Sequence, residues 1–93
     1  MHFYNTEYSK TQDTLRPQFK VEGNKVYGTM YNQSQGSKLM PWYEVRGNKI
    51  YTTVHNPQGH DVHPWYEIRG DKVYQTLNHP EGQSHVPTFH INK

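Results

Sequence analysis

The chain has 93 residues, enough for one domain. Val, Leu, Ile and Phe number only 16, but the net charge is just +2, far from the high charge that keeps a chain disordered. Aromatic residues make up 14% of the chain, and each Tyr or Trp can bury on the order of 150–250 Å². The composition therefore describes a folded domain with a thin core and modest stability, burying roughly 60–65% of its unfolded surface.

There is no cysteine, which excludes disulfides, thiolate nucleophiles, cysteine-type zinc sites and iron–sulfur ligation. No apolar run approaches the length of a transmembrane helix. Met1 to Lys10 are polar and aromatic, so no secretory signal is expected. These features fit an intracellular protein, although surface and phage proteins also lack cysteine. Alanine is absent too, while Gly, Pro, Asn, Thr and Tyr abound. That is a strand-and-turn vocabulary, and the fold class it predicts is all-β.

A unit of 23–24 residues repeats along the chain. Residues 1–16 read as the second half of a copy: Tyr4 stands 13 residues before Pro17, as Tyr51 does before Pro64, and Thr6 occupies the place of Thr53 and Thr76. Full copies follow at 17–40, 41–63 and 64–86, each opened by a proline, with cores FKVEGNKVYGTM, YEVRGNKIYTTV and YEIRGDKVYQTL. Residues 87–93 supply a first half that stops after TFHINK. Head to tail, Phe89 to Lys93 followed by Met1 to Tyr4 approximates a fourth unit.

Each core reads as a hairpin, with alternation around Gly47-Asn48 and Gly70-Asp71 marking two-residue turns that need positive φ, which Gly and Asn tolerate. The register then sets Val21 opposite Val26, Val45 opposite Ile50 and Ile68 opposite Val73, and closure would pair Ile91 with Phe3. The same apolar face is expected to carry Phe19, Tyr43, Tyr66 and Phe89, together with Met30, Val54 and Leu77. The other face carries Glu44, Arg46, Lys49, Tyr51 and Thr53, with Trp42 at its edge. Asn56-Pro57-Gln58-Gly59 and His79-Pro80-Glu81-Gly82 suit type I turns with proline second. The connection from Tyr31 to Met40 has no proline and is expected to diverge most.

About eight short antiparallel strands in four hairpins, with complementary ends, predict a small barrel or prism closed by pairing residues 3–7 with 88–92. The same split unit also permits a ring or filament built by strand exchange between chains, or an open array.

The cores YEVRGNKIY and YEIRGDKVY, with their NPQG and HPEG turns, resemble short tandem β-hairpin repeat proteins of bacteria. That type has no established activity, so the resemblance implies architecture alone. More distantly, hairpins of about this length rich in Trp, Tyr and Gly are similar to choline-binding and glucan-binding repeats of cell walls, which pack aromatics around a ligand between copies. Here only Trp42 and Trp65 recur, with Gln18 and Thr88 in the equivalent places.

Candidate chemistry is sparse. His60 and His63 flank Asp61 in a pattern that can ligate zinc, but three residues apart on a strand they face opposite ways, and other copies hold Gln83, Ser37 and Val86 there. No metal or cofactor is expected. Ser9, Ser34, Ser37 and Ser84 lie in polar loops without a nucleophile elbow, and Glu22, Glu44 and Glu67 recur at one repeat position, which sets them apart. The chain reads as non-enzymatic. The candidate contact surface is Arg46 and Arg69 beside Tyr51 and Tyr74, a basic and aromatic pattern able to hold anions, with Trp42 and Trp65 as stacking platforms if exposed and core plugs if buried. A charge of +2 does not point to nucleic acid. The expected function is a binding or assembly module for a protein or glycan partner, with carbohydrate or cell-envelope recognition as the alternative.

Overall fold

The computed structural model describes residues 1–9, 13–32 and 36–92. Eight strands, β1 (His2–Asn5), β2 (Pro17–Glu22), β3 (Lys25–Gly28), β4 (Tyr43–Arg46), β5 (Lys49–Thr52), β6 (Tyr66–Arg69), β7 (Lys72–Gln75) and β8 (Phe89–Asn92), follow one another around a closed antiparallel barrel. Within each covalent hairpin the strands pair over four residues, with Val21 opposite Val26, Val45 opposite Ile50 and Ile68 opposite Val73. Between hairpins β3–β4, β5–β6 and β7–β8 pair over only two.

The terminal strands reproduce the covalent pattern. β1 pairs with β8 over four residues, Phe3 opposite Ile91 and Asn5 opposite Phe89. The first and last half-copies thus form a fourth hairpin without a turn, and closure leaves no edge open among the described strands. β1 meets β2 through an irregularity between Phe3 and Tyr4.

The hairpin turns carry φ of 63°, 62° and 63° at Gly23, Gly47 and Gly70, and no described non-glycine residue has positive φ. Glycine first and Asn or Asp second, with only the glycine left-handed, is the type II′ arrangement, whose twist matches the flanking strands. At the opposite end Gly59 and Gly82 donate backbone N–H bonds to the carbonyls of Asn56 and His79, closing the proline turns as expected. The connection expected to diverge most has its middle, residues 33–35, outside the described residues.

Fourfold repetition places the core in tiers. Phe3, Val26, Ile50 and Val73 are equivalent in the four copies and are the centre, at most 2% exposed. Val21, Val45, Ile68 and Ile91 pack beneath them toward the turns. Phe19, Tyr43, Tyr66 and Phe89 form the tier above, toward the loops.

Two expectations are corrected. Met30, Val54 and Leu77 are 81%, 73% and 76% exposed, not on the apolar face. Alternation ends one residue earlier, where Thr29, Thr53 and Thr76 donate their hydroxyls to the carbonyls of Pro17, Pro41 and Pro64 and turn the chain outward. Thr6 makes the same bond to Pro87, which ties the split copy together. Trp42 was expected at the edge of the polar face and is buried at 2%. It precedes β4, so strand alternation does not govern it. Its ring instead closes over the neighbouring hairpin, 6.0 Å from the Phe19 ring, while Nε1 donates to the Ser37 carbonyl at 2.7 Å.

Gly28 makes room for that ring. A Cβ there would lie 3.0 Å from Trp42 Cη2, and a Cβ at Gly36 would lie 3.1 Å from Cζ2. Gly28→Ala is expected to cost about 1–3 kcal/mol by overpacking, more than the backbone entropy it recovers. A denaturant midpoint equal to wild type would show that Trp42 is not wedged.

Candidate functional site

The inward residues opposite the upper aromatic tier are Asn5, Gly28, Thr52 and Gln75, facing Phe89, Phe19, Tyr43 and Tyr66 respectively. The Trp42 ring covers Gly28 and the Asp61 backbone covers the Thr52 hydroxyl, while Asn5 and Gln75 border an opening at the loop end of the barrel. The result is an open bowl of about 740 Å³, within the roughly 300–1,000 Å³ range of ligand sites.

Its floor is the ring of Phe19, Tyr43, Tyr66 and Phe89. Neighbouring centroids are 5.7, 5.6, 5.8 and 5.4 Å apart, with planes inclined at 78°, 79°, 57° and 84° around the cycle. Each ring therefore leans edge or tilt against the next, the arrangement aromatic quadrupoles favour. The described buried polar residues, Asn5, Gln18, Thr52, Asn56 and His79, all belong to this end.

A second fourfold ring forms the wall. Ser9, Asn32, Asn56 and His79 follow Thr6, Thr29, Thr53 and Thr76 by three residues, and each backbone N–H donates to that threonine's carbonyl. Their side chains latch inward. Asn32 and Asn56 donate Nδ2 to the carbonyls of Gln18 and Trp42 at 3.2 and 3.0 Å, and Ser9 donates Oγ to the Thr88 carbonyl. His79 breaks the symmetry: its Nε2 meets Tyr66 Oη at 3.0 Å, and its Nδ1 accepts the Glu81 backbone N–H at 3.0 Å. That second bond fixes the tautomer, so Nε2 carries the proton and donates to the tyrosine. Beside it Gln75 Nε2 donates to Glu81 Oε1 at 3.3 Å. No buried side-chain N or O among the described residues lacks a hydrogen bond.

Burial pushes both floor hydroxyls toward the neutral form. Tyr43 titrates above its ordinary value because of desolvation, partly offset by bonds from Asn56 and Tyr66; Tyr66 is raised well above it by desolvation, then by Tyr43. Both pKa values are higher folded than unfolded, so the stability they contribute is complete below about pH 10 and lost as pH rises beyond it. Glu44 and Glu67 are held below the ordinary carboxylate range by Lys25 and Arg46 and by Lys49 and Arg69. Their contribution is present above about pH 4.3 and lost as pH falls through the lowered values. Circular dichroism across pH is expected to show a plateau between these limits, and Tyr66→Phe to weaken the alkaline decline. An unchanged alkaline limb in that variant would contradict the buried-hydroxyl account.

The residues singled out from sequence divide between inside and outside. Trp42 and Trp65 are 2% and 4% exposed, so of the two roles weighed for them they are core plugs and not exposed platforms. Each closes the seam between two copies, Trp65 lying 6.5 Å from the Tyr43 ring with Nε1 donating to Asp61 Oδ2. Trp42 also borders the bowl. Arg46 and Arg69 stand on the outer wall, their guanidinium carbons 4.7 and 4.8 Å from the ring centres of Tyr51 and Tyr74. Each also pairs with a glutamate, Arg46 with Glu44 at 2.9 Å and Arg69 with Glu67 at 3.1 Å, and those glutamates bridge to Lys25 and Lys49 of the preceding copies. This wall is charge-compensated.

Asp61 Oδ1 accepts the His63 backbone N–H at 3.0 Å while Oδ2 receives Trp65. Its carboxylate organises the loop and is held below its ordinary value chiefly by the His63 N–H. Among the described residues no three His, Cys, Asp or Glu side chains converge to hold a metal, and no helix is long and apolar enough to cross a membrane. Ser34 lies outside the described residues.

Sequence reasoning missed the bowl. A usable signal existed: aligning the four copies puts Ser9, Asn32, Asn56 and His79 at one position, all polar, three residues after the threonine. Comparison with protein-family models, curated proteins and solved structures finds no match.

Proposed function

We propose that this domain is a non-enzymatic binding module whose site is the bowl at the loop end of the barrel. The observation that carries the reading is the hollow itself. A chain short of apolar residues has Asn5 and Gln75 where an upper core tier would continue, and keeps about 740 Å³ open above an aromatic floor. Concave sites with an apolar base and a few converging polar groups are where small ligands bind. The arrangement offers positioning more than reaction: His79 is bonded through both ring nitrogens, and Glu44 and Glu67 lie on the outer wall, clasped by cations.

Trp65→Phe would leave Trp42, which borders the bowl, as the single fluorescent indole. In a screen of small polar fragments, binders are expected to shift Trp42 emission and to compete with one another. Fragments that bind only the outer wall, leaving Trp42 unaffected, would overturn the reading.

Assembly is the second reading, favoured by apolar side chains exposed at repeated places, Leu15, Leu39 and Val62 at 88%, 86% and 77%. Native mass spectrometry distinguishes it: a defined oligomer that Leu39→Ser disperses would support assembly, and a bare monomer would remove it.

A further inference from the structure

We propose, resting on the assembly reading, that two copies of this chain pair loop end to loop end about a two-fold axis, so that their apolar rims meet and their bowls open into one another. The placement of the exposed apolar side chains carries this. Met30, Val54 and Leu77 directly follow the threonines of their copies, and Leu15, Leu39 and Val62 stand two residues before Pro17, Pro41 and Pro64. All six are 73–88% exposed, and all lie in the connections at the loop end. Of the other large apolar side chains exposed among the described residues, only Met1 lies outside these connections. Isolated exposed apolar residues are ordinary, but a repeated set confined to one end marks a contact surface.

The area is that of a dimer interface. At on the order of 150 Å² for a fully exposed large apolar side chain, the six present roughly 700 Å² per copy. Tyr8 and Tyr31, in the same connections, carry the sum past the roughly 800 Å² per partner of a standard interface.

The chain offers an apolar counterpart at this rim and nowhere else among the described residues. The hairpin-turn end presents the exposed charged side chains of Arg46, Arg69 and Asp71, and the outer wall carries Glu44 and Glu67 clasped by their cations. A head-to-tail contact would press apolar tips on charged groups and leave the last rim uncovered. Rim against rim covers both in one isologous contact that closes at two copies. Charge agrees with this choice. The first two connections hold every lysine and arginine of the loop end, and the last two hold carboxylates and neither basic residue. A two-fold axis that sets the first pair of connections against the last pair therefore opposes unlike charge. The pairing brings two bowls of about 740 Å³ mouth to mouth, so that each copy completes the enclosure of the other's site.

The test is sedimentation velocity of the full chain from micromolar to millimolar concentration, beside the double variant Val54→Ser, Leu77→Ser and the opposite-end control Arg46→Ala. All three positions are exposed, so the variants are expected to keep the barrel, which circular dichroism checks. The chain is expected to pass from monomer to dimer and to stop there. The double variant is expected to dimerise about tenfold more weakly or worse, and Arg46→Ala to match the parent. Monomer throughout would overturn the pairing and the assembly reading together. An oligomer that the double variant leaves intact, or one that grows beyond two, would overturn rim pairing and keep assembly. Phosphatidylcholine vesicles are added in parallel and are expected to leave the chain in solution; a chain that sediments with them, but not as the double variant, would overturn the dimer and give the rim to a lipid surface.

Discussion

Deleting residues 1–7 is expected to abolish cooperative unfolding. β1 is four residues long, yet it is paired on both sides, to β2 and to β8. Removing it takes away Phe3, 2% exposed and one of the four central core residues, a loss of about 3–5 kcal/mol for an aromatic of this kind. It also removes the Thr6 hydroxyl bond to Pro87 and the Tyr4 ring stacked 5.3 Å from His90, and it uncovers two strand edges. A domain of this size has only about 5–14 kcal/mol to lose. The measurement is denaturant unfolding followed by circular dichroism and by tryptophan fluorescence together. An open array would lose one end and keep most of its transition; a midpoint unchanged from the full chain would refute closure.

Trp65→Ala is expected to destabilise by about 3–5 kcal/mol. The indole is 4% exposed at the seam between two copies, packed near Tyr43 on one side and 5.6 Å from the His79 ring on the other, with its N–H bonded to Asp61. The truncation therefore leaves a cavity and orphans a carboxylate contact. Arg69→Ala is the control, because its side chain is 58% exposed and its pairing is on the solvated wall, where substitutions stay within about 0.5 kcal/mol. If both variants unfold at the wild-type midpoint, Trp65 is a surface residue and the plug account fails.

The barrel was largely legible because its copies agree. Gly47-Asn48 and Gly70-Asp71 fixed the hairpin tips, period-2 alternation fixed the register, and the matching 13-residue spacings from Tyr4, Tyr51 and Tyr74 to the next proline exposed the split fourth unit. Alternation predicts side-chain direction only inside a strand, which is why it misplaced Val54 beyond the end of β5 and Trp42 before the start of β4. The bowl was overlooked for a related reason. Its wall comes from loop positions where the copies differ, Ser9, Asn32, Asn56 and His79, brought together only by the closed barrel. Repetition signals shared residues and is silent on the space between them.

The floor of the bowl needs Phe89, and β8 joins it to the barrel only through β7 and the terminal strand β1. The most direct measurement is therefore a nuclear Overhauser experiment on a mixture of isotopically labelled and unlabelled chains. Cross-strand contacts between Phe3 and Ile91 and between Asn5 and Phe89 are expected within single chains, at intensities independent of concentration. The same contacts arising only between labelled and unlabelled chains would mean that β1 pairs in trans, and would contradict the closed single-chain barrel on which the site depends.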